Sequence, residues 1–89
     1  LALNGALTFA SAAAAWREGS ALLATRPPRR LDLAAISQAD SAGLACVLAL
    51  LAAGRQRDPA LRIVNAPAEL VALARVCDAE AWIADAPPA

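Results

Sequence analysis

Histidine, lysine, tyrosine and methionine are all absent from this 89-residue chain, which carries two cysteines and one phenylalanine. Without histidine there is no imidazole to relay a proton to a serine nucleophile, and no nitrogen ligand for a zinc site. The four glycines, Gly5, Gly19, Gly43 and Gly54, are too dispersed for a phosphate-binding fingerprint. A metal site would have to be built from carboxylates alone, yet no two acids fall at helical i, i+3 or i+4 spacing; the nearest pair is Asp78 and Glu80. Enzymatic chemistry has little to work with here, so a non-catalytic protein without metal or cofactor is expected.

Net charge is zero, from eight arginines against eight acids. Scattered arginines in a neutral domain lack the basic patch that nucleic-acid binding needs. The apolar fraction is 60%, but 27 of those residues are alanine, which points to closely packed helices rather than to lipid. The uncharged run from Ser41 to Gly54 is shorter than the ~20 residues of a membrane helix, so no direct membrane insertion is expected. Cys46 and Cys77 each fall inside a predicted helix, and with no secretory signal visible they read as reduced core thiols of a cytosolic protein. The chain starts at Leu1 without a methionine. Its length suits one small domain with one core.

Leu1, Leu3, Leu7 and Phe9 recur with the period of two of a half-buried strand. Asn4-Gly5 fits a hairpin turn with very short arms, or a bulge within a single strand. Ser11 is an N-cap candidate for a helix over about 12–24, with Ala12, Ala15, Trp16, Gly19, Leu22 and Leu23 on its apolar face. Leu31 to Ile36 reads as a second strand, with Asp32 facing solvent, and Ser37 to Ser41 as a polar turn. A central helix follows over about 42–56, then a strand at Leu61 to Val64. Pro67 and Glu69 open a third helix with Leu70, Leu73, Ala74 and Cys77 inward. Ala79 to Ile83 is a candidate last short strand, and 86–89 a frayed tail. Alternating strands and helices predict an α/β domain with parallel crossovers.

Two features carry functional interest. Asp40 or Ser41 is placed to cap the central helix, and Ser41 is also a candidate contact or phosphorylation site at the positive end of the helix dipole. The helix itself has no ordinary polar face. Leu44, Val47, Leu48 and Leu51 form a stripe to bury against a sheet, while Ala42, Cys46, Ala49, Leu50 and Ala53 lie opposite. A helix apolar all round needs cover on both sides. So small a domain is expected to take its second cover from a partner protein.

The block Leu31-Asp32-Leu33, Ile36, Asp40-Ser41-Ala42-Gly43-Leu44 resembles the signature of STAS domains, in which a strand ends in a D-[ST]-x-G-[LIV] turn that opens the central helix. Leu1-x-Leu3-x-Gly5-x-Leu7 resembles the family's second strand, and Leu61 to Asn65 with Leu70 to Val76 the following strand and helix. The resemblance implies a single STAS-like domain over 1–89 lacking its first strand, with a mixed, mostly parallel sheet and helices on one face. It also implies a non-catalytic binding module. Anti-sigma factor antagonists of the family are phosphorylated by a partner kinase at the position of Ser41. The chain is more similar to another branch, the small stand-alone STAS subunit of the Mla phospholipid-trafficking ABC transporter, which binds the ATPase subunit in the cytoplasm. That likeness makes Asp40, Ser41, Ala42, Leu44, Ala45 and Ala49 the expected interface, with an ATPase as the expected partner and an anti-sigma kinase as the alternative.

Overall fold

A computed structural model describes residues 1–25 and 29–83 of the chain. The elements run β1 (Ala2–Leu7), α1 (Ala12–Thr25), β2 (Arg30–Ala39), α2 (Ser41–Arg57), β3 (Arg62–Val64), α3 (Ala68–Val76) and α4 (Glu80–Ile83). The described strands form one sheet in the order β1-β2-β3, and both pairings are parallel. The fold is the α/β arrangement expected of a STAS-like chain.

Leu7, Leu31, Leu33, Ile36 and Ile63 turn one face of the sheet into a core shared with Leu44, Val47, Leu50 and Leu51 of α2, Leu70 and Ala74 of α3, and Ile83 of α4. Their neighbours on the other face, Ala34, Ser37 and Arg62, are exposed, so the helices cover one face only. Asp32 points to that open face, where its Oδ1 accepts from the Ala34 amide at 2.9 Å and from Asn65 Nδ2 at 3.3 Å. No charged or polar side chain is buried among the described residues.

β1 is one continuous strand, so Gly5, with φ 77°, marks an irregularity and not a hairpin. The register runs from Ala2↔Asp32 to Asn4↔Ala35 and from Gly5↔Ile36 to Ala6↔Gln38. Each shift gives β2 one residue more than β1, which makes two bulges on β2. The bulges reset the alternation, so inward positions fall at Leu31, Leu33 and Ile36, and the half-buried Ala39 follows. Ser37 to Ala39 is therefore strand, not turn: its polar side chains face out while its backbone pairs with Ala6 and Leu7.

α1 lies across α2 through small residues. A Cβ on Gly19 would stand 2.8 Å from Leu50 Cδ2, so the helices approach closely because that side chain is missing. This contact corrects two expectations. Cys46 and Leu50 lie beneath α1 in the core, so the domain supplies much of the second cover itself. Trp16 and Leu22 stay 41% and 51% exposed, because α1 meets α2 along the line of Ala12, Ala15, Gly19 and Leu23 instead. Ser11 does not cap forward; its hydroxyl accepts from the Thr8 amide and donates to the Ala6 carbonyl, tying the turn back to β1.

The chain after α3 also differs from expectation. Residues 80–83 are helical, with Ala79 and Ile83 buried four apart and Trp82 between them 59% exposed. Arg75 pairs with Glu80 across the turn at 2.6 Å. Cys77 caps α3 on the surface and is not a core thiol; Ala79 takes the inward place beyond it. The 86–89 tail lies outside the described residues. The Ala79 amide reaches the Ala74 carbonyl and the Asp78 amide the Arg75 carbonyl, a Schellman closure with Asp78 left-handed at φ 59°. A glycine takes that conformation without steric penalty. Asp78→Gly is expected to raise stability by about 1 kcal/mol, measured as a higher midpoint of urea unfolding with unchanged slope.

Candidate functional site

The turn opening α2 is built from three chain segments. β2 delivers Asp40 beside the end of β1, where the Asp40 amide donates to the Leu7 carbonyl at 3.3 Å. Asp40 is extended (φ −118°, ψ −172°), the backbone of an N-cap, and its Oδ1 accepts from the Gly43 amide at 3.0 Å. Its Oδ2 accepts from the Phe9 amide at 2.9 Å. One carboxylate thus caps α2 and fastens the β1–α1 turn to it. The Phe9 amide first, and the Gly43 amide next, hold the Asp40 carboxyl below its ordinary range, because both donate to the charged form.

Gly43 is required by space. A Cβ there would collide with the carbonyl oxygen of Leu7, and backbone cannot swing aside as a side chain can. The first turn of α2 therefore rests directly on the last residue of β1.

With Asp40 as the cap, Ser41 is left as the first helical residue, exposed, and its hydroxyl makes no hydrogen bond among the described residues. Ala45 and Ala49 continue the exposed line, Ala42 is half-buried beside it, and Ala52 extends it along the helix. Leu44 does not belong to this surface. It is 3% exposed and packs in the core, since it lies on the sheet side of α2. What remains is a narrow, uncharged strip with half-buried Leu48 along one margin.

Two neighbours of the strip were not anticipated from the sequence. Phe9 is 84% exposed next to the α2 N-terminus; its odd-numbered position suggested burial, but β1 ends at Leu7 and the following turn rotates it outward. Trp82 closes a hollow of about 230 Å³ with Leu48, Leu51, Ala52 and Arg55, and only a helical reading of 80–83 would have brought it there. Among the described residues no group of three metal-ligating side chains converges. Cys46 is enclosed beneath α1, and burial pushes its thiol pKa up. No described helix is long and apolar enough to cross a membrane.

Residues 1–84 match the sequence model of the family described as "Mlab, STAS domain". The chain belongs to the STAS domain family. The match takes in all the described strands, the Asp40–Leu44 turn and the four described helices. No curated protein matches the sequence. STAS domains are in general binding modules without catalysis, found in transporters and as anti-sigma factor antagonists.

Two measurements check the construction of this turn. Gly43→Ala is expected to destabilise the domain by about 3 kcal/mol, because the clash is with backbone, read as a lowered denaturant midpoint. Asp40 has a folded pKa below its unfolded one, so its contribution is full above the ordinary carboxylate range. It is lost as pH falls through the lowered folded value. The stability difference between the wild-type chain and Asp40→Ala should accordingly be present at neutral pH and shrink on acidification below about pH 4.

Proposed function

We propose that this STAS domain is a non-catalytic cytoplasmic subunit that docks on the ATPase of an ABC phospholipid transporter maintaining outer-membrane lipid asymmetry, and supports its assembly or activity. The observation that carries the reading is the uncharged exposed strip Ser41, Ala45, Ala49 and Ala52 on a helix whose Leu44, Cys46, Val47, Leu50 and Leu51 lie in the core. A solvated helix face normally carries Glu, Lys or Arg, whereas small side chains allow a second backbone to come close. The family description supports the same branch. Asp40 orients the strip, Ser41 and Ala42 form its leading end, and Leu44 anchors it from below.

A second reading is a phosphorylation-switched anti-sigma factor antagonist with a kinase as partner. It is favoured by one observation: capping by Asp40 leaves the Ser41 hydroxyl exposed and without a partner among the described residues. A phosphate there would meet the positive end of the α2 dipole.

Ala49→Glu separates fold from docking. The side chain is exposed, so the variant should unfold within about 0.5 kcal/mol of wild type while losing co-purification with the ATPase. Recovery of a sigma-regulator kinase with no ATPase would reject the transporter reading. Under the second reading, intact-mass analysis after incubation with the kinase must show one added phosphate, absent from Ser41→Ala.

A further inference from the structure

The strip ends at two exposed aromatic residues, and both are held in place. Phe9 sits on a turn fixed by three hydrogen bonds: its own amide to Asp40 Oδ2 at 2.9 Å, the Thr8 amide to Ser11 Oγ at 2.9 Å, and Ser11 Oγ to the Ala6 carbonyl at 2.8 Å. Trp82 is held by α4, flanked by the buried Ala79 just before the helix and Ile83 at its end, and α4 is tied to α3 by the Arg75–Glu80 pair. Exposed aromatic side chains on rigid supports lose little entropy on binding and are the usual anchors of interfaces. Isolated exposed aromatics are common on surfaces, and Trp16 is another, but Phe9 and Trp82 stand at the two ends of the uncharged α2 strip.

From Ser41 to Ala52 α2 rises about 17 Å, three turns of helix. No charged side chain of α2 occurs over that length, and the first one reached is Arg55, at the rim of the Trp82 hollow, half-buried and with its Nε donating to the Leu61 carbonyl at 3.1 Å. The hollow, about 230 Å³ and lined mainly by apolar side chains, has room for an aliphatic side chain. Charge complementarity therefore asks for a partner surface that is apolar over three turns and acidic at one end.

We propose that Phe9 and the hollow beside Trp82 are the two anchor points of the α2 docking surface, and that the ATPase meets them with an amphipathic helix, aliphatic side down, carrying a carboxylate near Arg55. This inference rests on the docking reading of α2 and adds to it where the partner grips.

The test uses the whole chain and the purified ATPase. Phe9→Ala should keep the thermal midpoint of wild type and bind about tenfold more weakly. In a Trp16→Phe background labelled with fluorotryptophan, the fluorine resonance of Trp82 should shift on addition of the ATPase. Wild-type affinity for Phe9→Ala, or a Trp82 resonance that stays put at saturation, overturns the anchors; if Ala49→Glu still blocks binding, the docking reading survives. Failure of the unaltered chain to bind the ATPase at all rejects both.

Discussion

The contact on which the rest of this domain depends is that of the first turn of α2 with the end of β1. Gly43 lies on the Leu7 carbonyl with no room for a side chain, and Asp40 receives the amides of Gly43 and Phe9 on its two oxygens. These contacts fix the angle at which α2 leaves the sheet. Everything downstream follows from that angle: Leu44, Val47 and Leu51 reach the sheet, Leu50 and Cys46 turn toward α1, and Ser41, Ala45 and Ala49 remain outside. A capping carboxylate alone would leave the helix free to tilt, and a glycine alone would leave its first amides unsatisfied. The motif needs both.

Why the order of elements was legible while parts of their detail were not can be seen in β2. Leu31 and Leu33 announce a strand by period two, and the period then breaks. Two bulges shift the inward positions to Ile36 and Ala39, so Ser37 and Gln38 look like a polar turn although both lie within the strand, Ser37 as a bulge and Gln38 paired with Ala6. Period arguments assume a regular ladder, and a bulge is invisible to them because its cause lies in the partner strand. The end of α3 failed for a related reason. Asp78 in the left-handed region does what a glycine does in the same place, and a sequence reader looking for glycine continues the helix to Cys77.

The candidate site was legible to a different degree. Asp40, Ser41 and Gly43 stand out because a cap and a close backbone approach both demand particular residue types. The outer face of α2 was harder, since alanine serves equally well under another helix and in water. Gly19 decided it: by removing a side chain from α1 it brings that helix onto Leu50, and Cys46 beneath Ala12 is covered with it, two of the five residues on the face expected to be open. The part left bare is narrower than the sequence suggested and better defined. Phe9 and Trp82 escaped notice because their exposure depends on where β1 stops and on α4 being a helix.

The division of labour between Asp40 and Ser41 bears most directly on how such a turn can serve either branch of the family. Had Ser41 been the cap, its hydroxyl would be engaged by a helix amide, and modifying it would unsettle the start of α2. With aspartate in that role, the serine can be contacted or modified without disturbing the cap. The carboxylate beside it repels an added phosphate, but both of its oxygens already accept backbone amides, which offsets part of that charge. Under the docking proposal, a partner on the strip would meet a small neutral side chain at this corner, next to Phe9. A phosphate there would place about two negative charges on the same corner, beside the exposed Phe9 ring. If Ser41 is a contact as proposed, the geometry that exposes it is also the geometry that would let phosphorylation abolish that contact.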